Sequence, residues 1–171
     1  MDRRELFTSI GSPFTENKGK DIGTIRPPYF NNLNEFLDKC IKCEDKWCIG
    51  ACDEDIIIVD TDGTPKLDFT QNGCTYCDEC AIDCDQDVLK LEYKQNIQAS
   101  IKIDILKCMS WNQTMCFSCK DPCLDNAIEF IGMFRPEINL NQCTMCGFCI
   151  KYCPSDAISI TMIKKENNDI N

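Results

Sequence analysis

Short runs in which apolar and polar residues alternate recur along the chain and predict β-strands. Four of these runs are rich in β-branched side chains and follow a polar turn: 56–59, 88–93, 127–131 and 157–160. Three shorter runs alternate in the same way: 67–69, 101–105 and 138–140. Alternation with a period of two, bounded by turn residues, is typical of strands, and Asp62-Gly63 stands where a hairpin turn would join the first pair. The pattern therefore predicts short antiparallel hairpins.

A group of four cysteines precedes each of the four longer runs, so the chain is a fourfold repeat. The groups are, in order, Cys40, Cys43, Cys48 and Cys52; Cys74, Cys77, Cys80 and Cys84; Cys108, Cys116, Cys119 and Cys123; and Cys143, Cys146, Cys149 and Cys153. One repeat unit is too small to bury a core alone, but two units packed around inorganic clusters can do so. We therefore predict an α+β fold of two tandem bacterial-ferredoxin-like modules, each with two [4Fe–4S] clusters, short antiparallel hairpins and short helices.

The repeat also predicts the division of the chain. We expect four segments: an N-terminal arm at 1–35, modules at 36–94 and 95–162, and a polar tail at 163–171. The arm carries Arg3-Arg4 and Arg26-Pro27-Pro28-Tyr29. It is either a solvated, poorly ordered segment or a partner-docking arm that its prolines hold extended.

Sixteen cysteines among 171 residues indicate either a secreted disulfide scaffold or a metal protein. The first residues are basic, but no apolar run follows them as it would in an export signal. We therefore expect a cytoplasmic protein with reduced thiols. No stretch approaches the roughly 20 apolar residues of a membrane span. The net charge of −10 argues against nucleic acid as a partner and favours proteins with basic or neutral docking surfaces.

The spacing within group four, C-x2-C-x2-C-x3-C-P, is that of bacterial two-cluster ferredoxins. Three cysteines of such a loop ligate one cubane, and the fourth ligates the other cluster. Group two repeats this spacing with Asp85 in place of Pro154. Gly147, which has no Cβ, lets backbone N–H groups approach the sulfurs. We predict that all sixteen cysteines are ligands of four [4Fe–4S] clusters.

Groups one and three depart from this spacing. Four residues separate Cys43 from Cys48, and seven separate Cys108 from Cys116. A three-iron cluster or a labile iron is the alternative at group three if Cys108 fails to reach the others. Zinc also takes four thiolates, but its sites usually pair two C-x2-C knuckles across a longer arm, so zinc is disfavoured here.

If neighbouring groups pair, crossed ligation gives four ligand sets. These are Cys40, Cys43, Cys48 and Cys84; Cys74, Cys77, Cys80 and Cys52; Cys108, Cys116, Cys119 and Cys153; and Cys143, Cys146, Cys149 and Cys123. Nested pairing, of group one with four and of two with three, is the other possibility, and the sequence does not decide between them.

The residues favour an electron-transfer protein over an enzyme. There is no GxGxxG or GxxxxGK[ST] loop to hold a nucleotide, and without histidine the commonest general base is missing. We predict no catalytic residues. Acidic residues around the cysteine loops disfavour the more negative reduced state of a cluster, so we expect low reduction potentials for most of the clusters.

The chain resembles the NapF family, ferredoxin-type accessory proteins of the periplasmic nitrate reductase system. The likeness covers Arg3-Arg4, Ile25 to Tyr29, the four cysteine groups with a stretched third group, and Phe134 to Pro136. The extra residues before Cys48 depart from the family pattern. The resemblance implies a cytoplasmic protein that contacts the nitrate reductase catalytic subunit before export and either donates electrons to it or helps to assemble its cluster.

Three hypotheses follow. The chain is an accessory redox protein that docks on an unexported oxidoreductase precursor; an electron-transfer subunit of a membrane-associated oxidoreductase complex; or an assembly chaperone whose clusters are cargo or structural.

Overall fold

The computed structural model describes residues 23–163. Arg3-Arg4, most of the predicted arm and nearly all of the predicted tail lie outside this range. The elements are α1 (Leu33–Lys42), α2 (Trp47–Gly50), β1 (Ile57–Val59), β2 (Pro65–Leu67), α3 (Glu79–Ile82), a 3-10 turn (Leu91–Tyr93), β3 (Ala99–Ile103), β4 (Ile128–Ile131), β5 (Arg135–Ile138), α4 (Phe148–Lys151) and β6 (Ile158–Met162).

The strands form three antiparallel pairs. β1 and β2 form a hairpin between cysteine groups one and two, and β4 and β5 form the corresponding hairpin between groups three and four. β3 pairs with β6, with Ile101 opposite Ile160, and so brings the two ends of residues 99–162 together. The expected mixture of short helices and short antiparallel strands is confirmed, whereas the division into two tandem modules stays a prediction.

The expected strand at 88–93 is wrong. Among residues 88–93, a single backbone hydrogen bond reaches the segment at 27–29: Lys90 N–H donates to the Tyr29 carbonyl at 2.8 Å. The chain then turns into the 3-10 segment. Because Pro27 and Pro28 have no N–H to donate, the neighbouring segment cannot complete a ladder. The three shorter runs are also displaced, since β2 and β5 begin earlier and β3 ends earlier than their alternation suggested.

The part of the arm that the structure describes packs against the first half of the chain, which carries cysteine groups one and two. Tyr29 is 1% exposed, and the Ile25 carbonyl accepts a hydrogen bond from Leu67 N–H at 2.8 Å. The Arg26 guanidinium donates to the hydroxyl of buried Thr64 and forms an ion pair with Asp62 at 2.9 Å. Ile25 and residues 27–29 are thus buried against this half, and the predicted segment boundaries stay a prediction.

Helix α1, with 10 residues, leads into cysteine group one. The Asn32 side chain caps it by accepting from Asn34 N–H at 2.9 Å. Glu35 and Lys39 pair across one turn at 2.7 Å, while Phe36 and Cys40, also four residues apart, are buried. The helix therefore carries a thiol into the core of the first half.

Each half has its own buried cluster of apolar side chains, and the two clusters share Met145, Ile150 and Ile160 at their border. Over residues 23–163, none of the helices combines the length and the apolar character needed to cross a bilayer.

Candidate metal centres

Four cavities are each lined by four cysteines, three from one group and one from its neighbour. Site I is lined by Cys40, Cys43, Cys48 and Cys84; site II by Cys74, Cys77, Cys80 and Cys52; site III by Cys108, Cys116, Cys119 and Cys153; and site IV by Cys143, Cys146, Cys149 and Cys123. These are the sets given by crossed pairing of neighbouring groups. No cavity among the four joins group one to group four, or group two to group three.

The arrangement of the thiols fits a polynuclear cluster better than a single ion. A zinc ion needs four sulfurs about 2.3 Å from one point. Within residues 23–163, no group of three or more Cys, Asp or Glu side chains converges on a point that could hold one metal ion. All sixteen cysteines lie in this range and are free of disulfides. Four thiols that line one cavity without converging on one point suit a cluster of several metal atoms better than a single ion.

The cysteine loops owe their curvature to residues in the left-handed region. The third cysteine of groups one, two and four lies in the one-turn helices α2, α3 and α4, inside the cysteine loop. The residue before each helix has a positive φ: 44° at Lys46, 73° at Asp78 and 86° at Gly147. This reversal of the backbone turns the thiols of one loop toward a common cavity. Group three has turns but no helix at the corresponding place.

The fourth cysteine of three groups accepts a hydrogen bond from a backbone N–H that follows it. The pairs are Leu89 N–H to Cys84 Sγ at 3.4 Å, Ala127 N–H to Cys123 Sγ at 3.2 Å, and Ala157 N–H to Cys153 Sγ at 3.2 Å. Such donors stabilise a thiolate. The apolar run after each of these groups thus supports a ligand of the neighbouring site.

Burial holds several of these thiols in the neutral form when no metal is bound. It raises the pKa to about 12 for Cys40 and to about 11 for Cys48, Cys74 and Cys119. The pKa values of Cys80 and Cys149 are raised further, again mainly by burial. A metal that binds thiolates must therefore displace protons from these sites.

The two irregular groups still bring all their cysteines to the cavities. Cys48 is 7% exposed at site I, and Cys108 is 9% exposed at site III. In group three the extra residues fold back on the protein, because Trp111 Nε1 donates to the Pro136 carbonyl at 3.2 Å and Asn112 Nδ2 donates to the Cys108 carbonyl at 2.9 Å. Cys108 therefore lines the same cavity as the other three thiols of site III, and its role as a ligand stays a prediction.

Sites II and IV meet at the border between the halves. Cys74 N–H donates to the Cys146 carbonyl at 2.7 Å. Next to it, Tyr76 Oη donates to the Thr144 carbonyl at 2.5 Å and accepts from Ile97 N–H at 3.0 Å. Nothing in the sequence near Tyr76 indicates this contact, because Thr144 is 68 residues away along the chain.

Comparison with known proteins identifies the same chemistry. Residues 136–159, from β5 through group four to the start of β6, match the 4Fe-4S binding domain family. The chain is 30% identical over 139 residues to the ferredoxin-type protein NapF of Escherichia coli K12, covering 79% of this chain and 83% of that protein. It is 30% identical over 167 residues to NapF of Haemophilus influenzae, covering 95% and 92%.

More distant similarity extends to other ferredoxin-type proteins. The ferredoxin-type protein NapG of E. coli K12 is 26% identical over 163 residues, covering 81% of this chain and 70% of NapG. The matches and the cysteine sites together support a ferredoxin-type iron–sulfur electron carrier. The chain belongs to the NapF family of ferredoxin-type proteins.

Proposed function

We propose that the chain holds four [4Fe–4S] clusters, one at each of sites I to IV, with the sixteen cysteines as ligands. The observation that carries this proposal is that each of the four cavities is lined by four thiols. A [4Fe–4S] cluster, when bound, supplies a centre that accepts and releases one electron. The cysteine loops hold the thiolates, and the buried side chains around them exclude water.

Proximity between the sites supports an electron relay. Cys48 of site I and Cys80 of site II belong to the same buried cluster of side chains. Cys119 of site III and Cys149 of site IV belong to the other buried cluster. With the hydrogen bond from Cys74 N–H to the Cys146 carbonyl, these pairs support the spatial order I, II, IV, III. Each site thus has a neighbour to which an electron can pass.

The cellular role that we propose is that of a cytoplasmic accessory protein of the periplasmic nitrate reductase system. Its partner is the nitrate reductase catalytic subunit before export, as the resemblance implies. The sixteen free thiols agree with a reducing compartment, and the net charge of −10 favours a basic or neutral docking surface on the partner.

The first test is a count of metal in protein purified without oxygen. Four cubanes require about 16 irons and about 16 acid-labile sulfides per chain. Protein with that content should be brown and should develop paramagnetic signals when it is reduced by dithionite. Colourless protein that binds zinc in stoichiometric amounts would overturn the proposal.

A second test separates electron donation from cluster assembly. The reduced protein is mixed with the catalytic subunit lacking its cluster, and separately with the subunit carrying an oxidised cluster. Oxidation of this chain with all its iron retained supports electron donation. Transfer of iron to the cluster-free subunit instead supports the assembly role.

A further inference from the structure

Site III differs from the other three sites in the polar groups that line it. Three serine hydroxyls, those of Ser110, Ser118 and Ser155, line its cavity together with the four cysteines. Of the residues lining the other three cavities, only Thr75, at site II, carries an aliphatic hydroxyl. Site III is thus the hydroxyl-rich member of the set.

The distribution of carboxylates is the reverse. Asp85 lines site I, and Asp125 lines site IV. Site II is lined by three acidic side chains, those of Asp53, Glu54 and Asp78. Among the described residues that line site III there is neither Asp nor Glu. Since reduction adds one negative charge, lining carboxylates disfavour it and hydrogen-bond donors favour it.

Ser110 is the most informative of the three serines. It is 1% exposed, and its hydroxyl is buried with no hydrogen-bond partner among the described residues. A buried hydroxyl without a partner is destabilising, so its position at a cavity lined by four thiols points to a partner inside the cavity. Ser118 and Ser155 already have their oxygens 3.7 Å from Cys116 Sγ and Cys153 Sγ.

We propose that the Ser110 hydroxyl donates a hydrogen bond to a sulfur of the cluster assembly at site III and, with Ser118 and Ser155, makes site III the centre of highest reduction potential. The inference rests on the proposed four-cluster function. One electron enters site III, no covalent bond forms or breaks, and the proton stays on the serine oxygen. Because site III lies at one end of the order I, II, IV, III, electrons collect at that end.

The experiment uses anaerobically purified full-length protein, reduced in steps at fixed solution potentials while the signals are recorded by electron paramagnetic resonance. In Ser110→Ala with its iron content unchanged, we expect the first signal to appear at a lower potential. At a fixed potential, the ratio of reduced to oxidised centres at site III should fall roughly threefold to tenfold. The other signals should not move. Ser110→Thr, which keeps a hydroxyl, should restore most of the ratio.

Ser159→Ala is the matched control, because Ser159 is an exposed serine on β6. Should Ser110→Ala lose iron, Ser118→Ala and Ser155→Ala provide the test, with shifts of the same signal in the same direction. The inference is overturned if fully loaded serine variants leave the first signal where it was, or shift a different one. An iron content far below 16 in the unmodified protein would instead contradict the proposed function itself.

Discussion

At the residue scale, the function of a cysteine here depends on the cavity it faces and not on the group to which it belongs in the sequence. Cys84 belongs to group two but lines site I, and Cys52 belongs to group one but lines site II. The backbone N–H of Leu89, in the segment that follows, donates a hydrogen bond to the Cys84 sulfur. Each of these two cysteines therefore links its own loop to the neighbouring site.

Double substitutions test this crossing. Cys43→Ser combined with Cys84→Ser changes two thiols of site I, so the pair should lose one cluster, about four irons. Cys77→Ser combined with Cys84→Ser changes two sites and should lose two clusters, about eight irons, although both cysteines belong to group two. Iron and sulfide analysis of anaerobic protein distinguishes the two results. The opposite pattern would show that each group keeps its own cluster.

Cluster retention should also depend on pH through the buried thiols. Their pKa values of about 11 to 12 at Cys40, Cys48, Cys74 and Cys119 lie far above neutral pH, so an emptied site takes up protons throughout the range below them. For each proton that the empty site binds, the affinity for metal falls about tenfold when the pH is lowered by one unit. We expect an iron chelator to extract the clusters more readily at pH 6 than at pH 8. Extraction that is independent of pH would contradict this prediction.

At the scale of the elements, the one-turn helices depend on the left-handed residue that precedes them. Gly147 has a φ of 86° before α4, and a Cβ at that position would overlap the ring of Phe69 from the first half. An L-residue pays about 1–2 kcal/mol for this backbone conformation alone. Gly147 therefore permits both the turn of the cysteine loop and the close packing of the two halves.

Gly147→Ala should lower the free energy of unfolding by about 2–4 kcal/mol, because the backbone strain and the overlap with Phe69 add. Gly50→Ala in α2 is the matched control. A Cβ there meets nothing within 4 Å, and alanine is the better helix former, so stability should stay the same or rise slightly. Denaturant unfolding of the iron-loaded proteins measures both. Equal losses in the two variants would show that packing against Phe69 plays no part.

The cysteine sites could be predicted from the sequence because their spacing is a local property. Three thiols within a few residues share a loop whatever the rest of the chain does. The strand expected at 88–93 failed for the opposite reason, since its ladder depends on Pro27 and Pro28, far away in the sequence. The buried role of Arg26 was missed likewise, because nothing near it in the sequence indicates Thr64 and Asp62 as its partners.

At the scale of the whole molecule, the two halves are joined through the loops of sites II and IV. Cys74 and Cys146 are linked by their backbones, and Tyr76 adds two hydrogen bonds beside them. A Cβ on Gly73 would lie 2.5 Å from Phe148 N. Such close approach of two cysteine loops makes this border the connection between the halves that the proposed relay requires.

Tyr76→Phe removes both hydrogen bonds while keeping the ring. We expect a loss of about 1–3 kcal/mol in stability and a weaker magnetic interaction between the reduced centres of sites II and IV, with the iron content unchanged. Tyr152→Phe, at a tyrosine that is 49% exposed, is the control. Microwave power saturation of the reduced proteins reports the interaction. An unaltered interaction in Tyr76→Phe would mean that the Tyr76 hydroxyl does not hold the two loops in place.

The crossed ligand sets also determine the order in which the four sites become complete during translation. As the chain leaves the ribosome, site II gains its last thiol at Cys80, and site I gains its own only at Cys84. The second pair follows in the same way, with site IV complete at Cys149 and site III at Cys153. Metal delivered during translation would therefore meet the thiols of sites I and II before sites III and IV are complete, and each pair closes within four residues of synthesis.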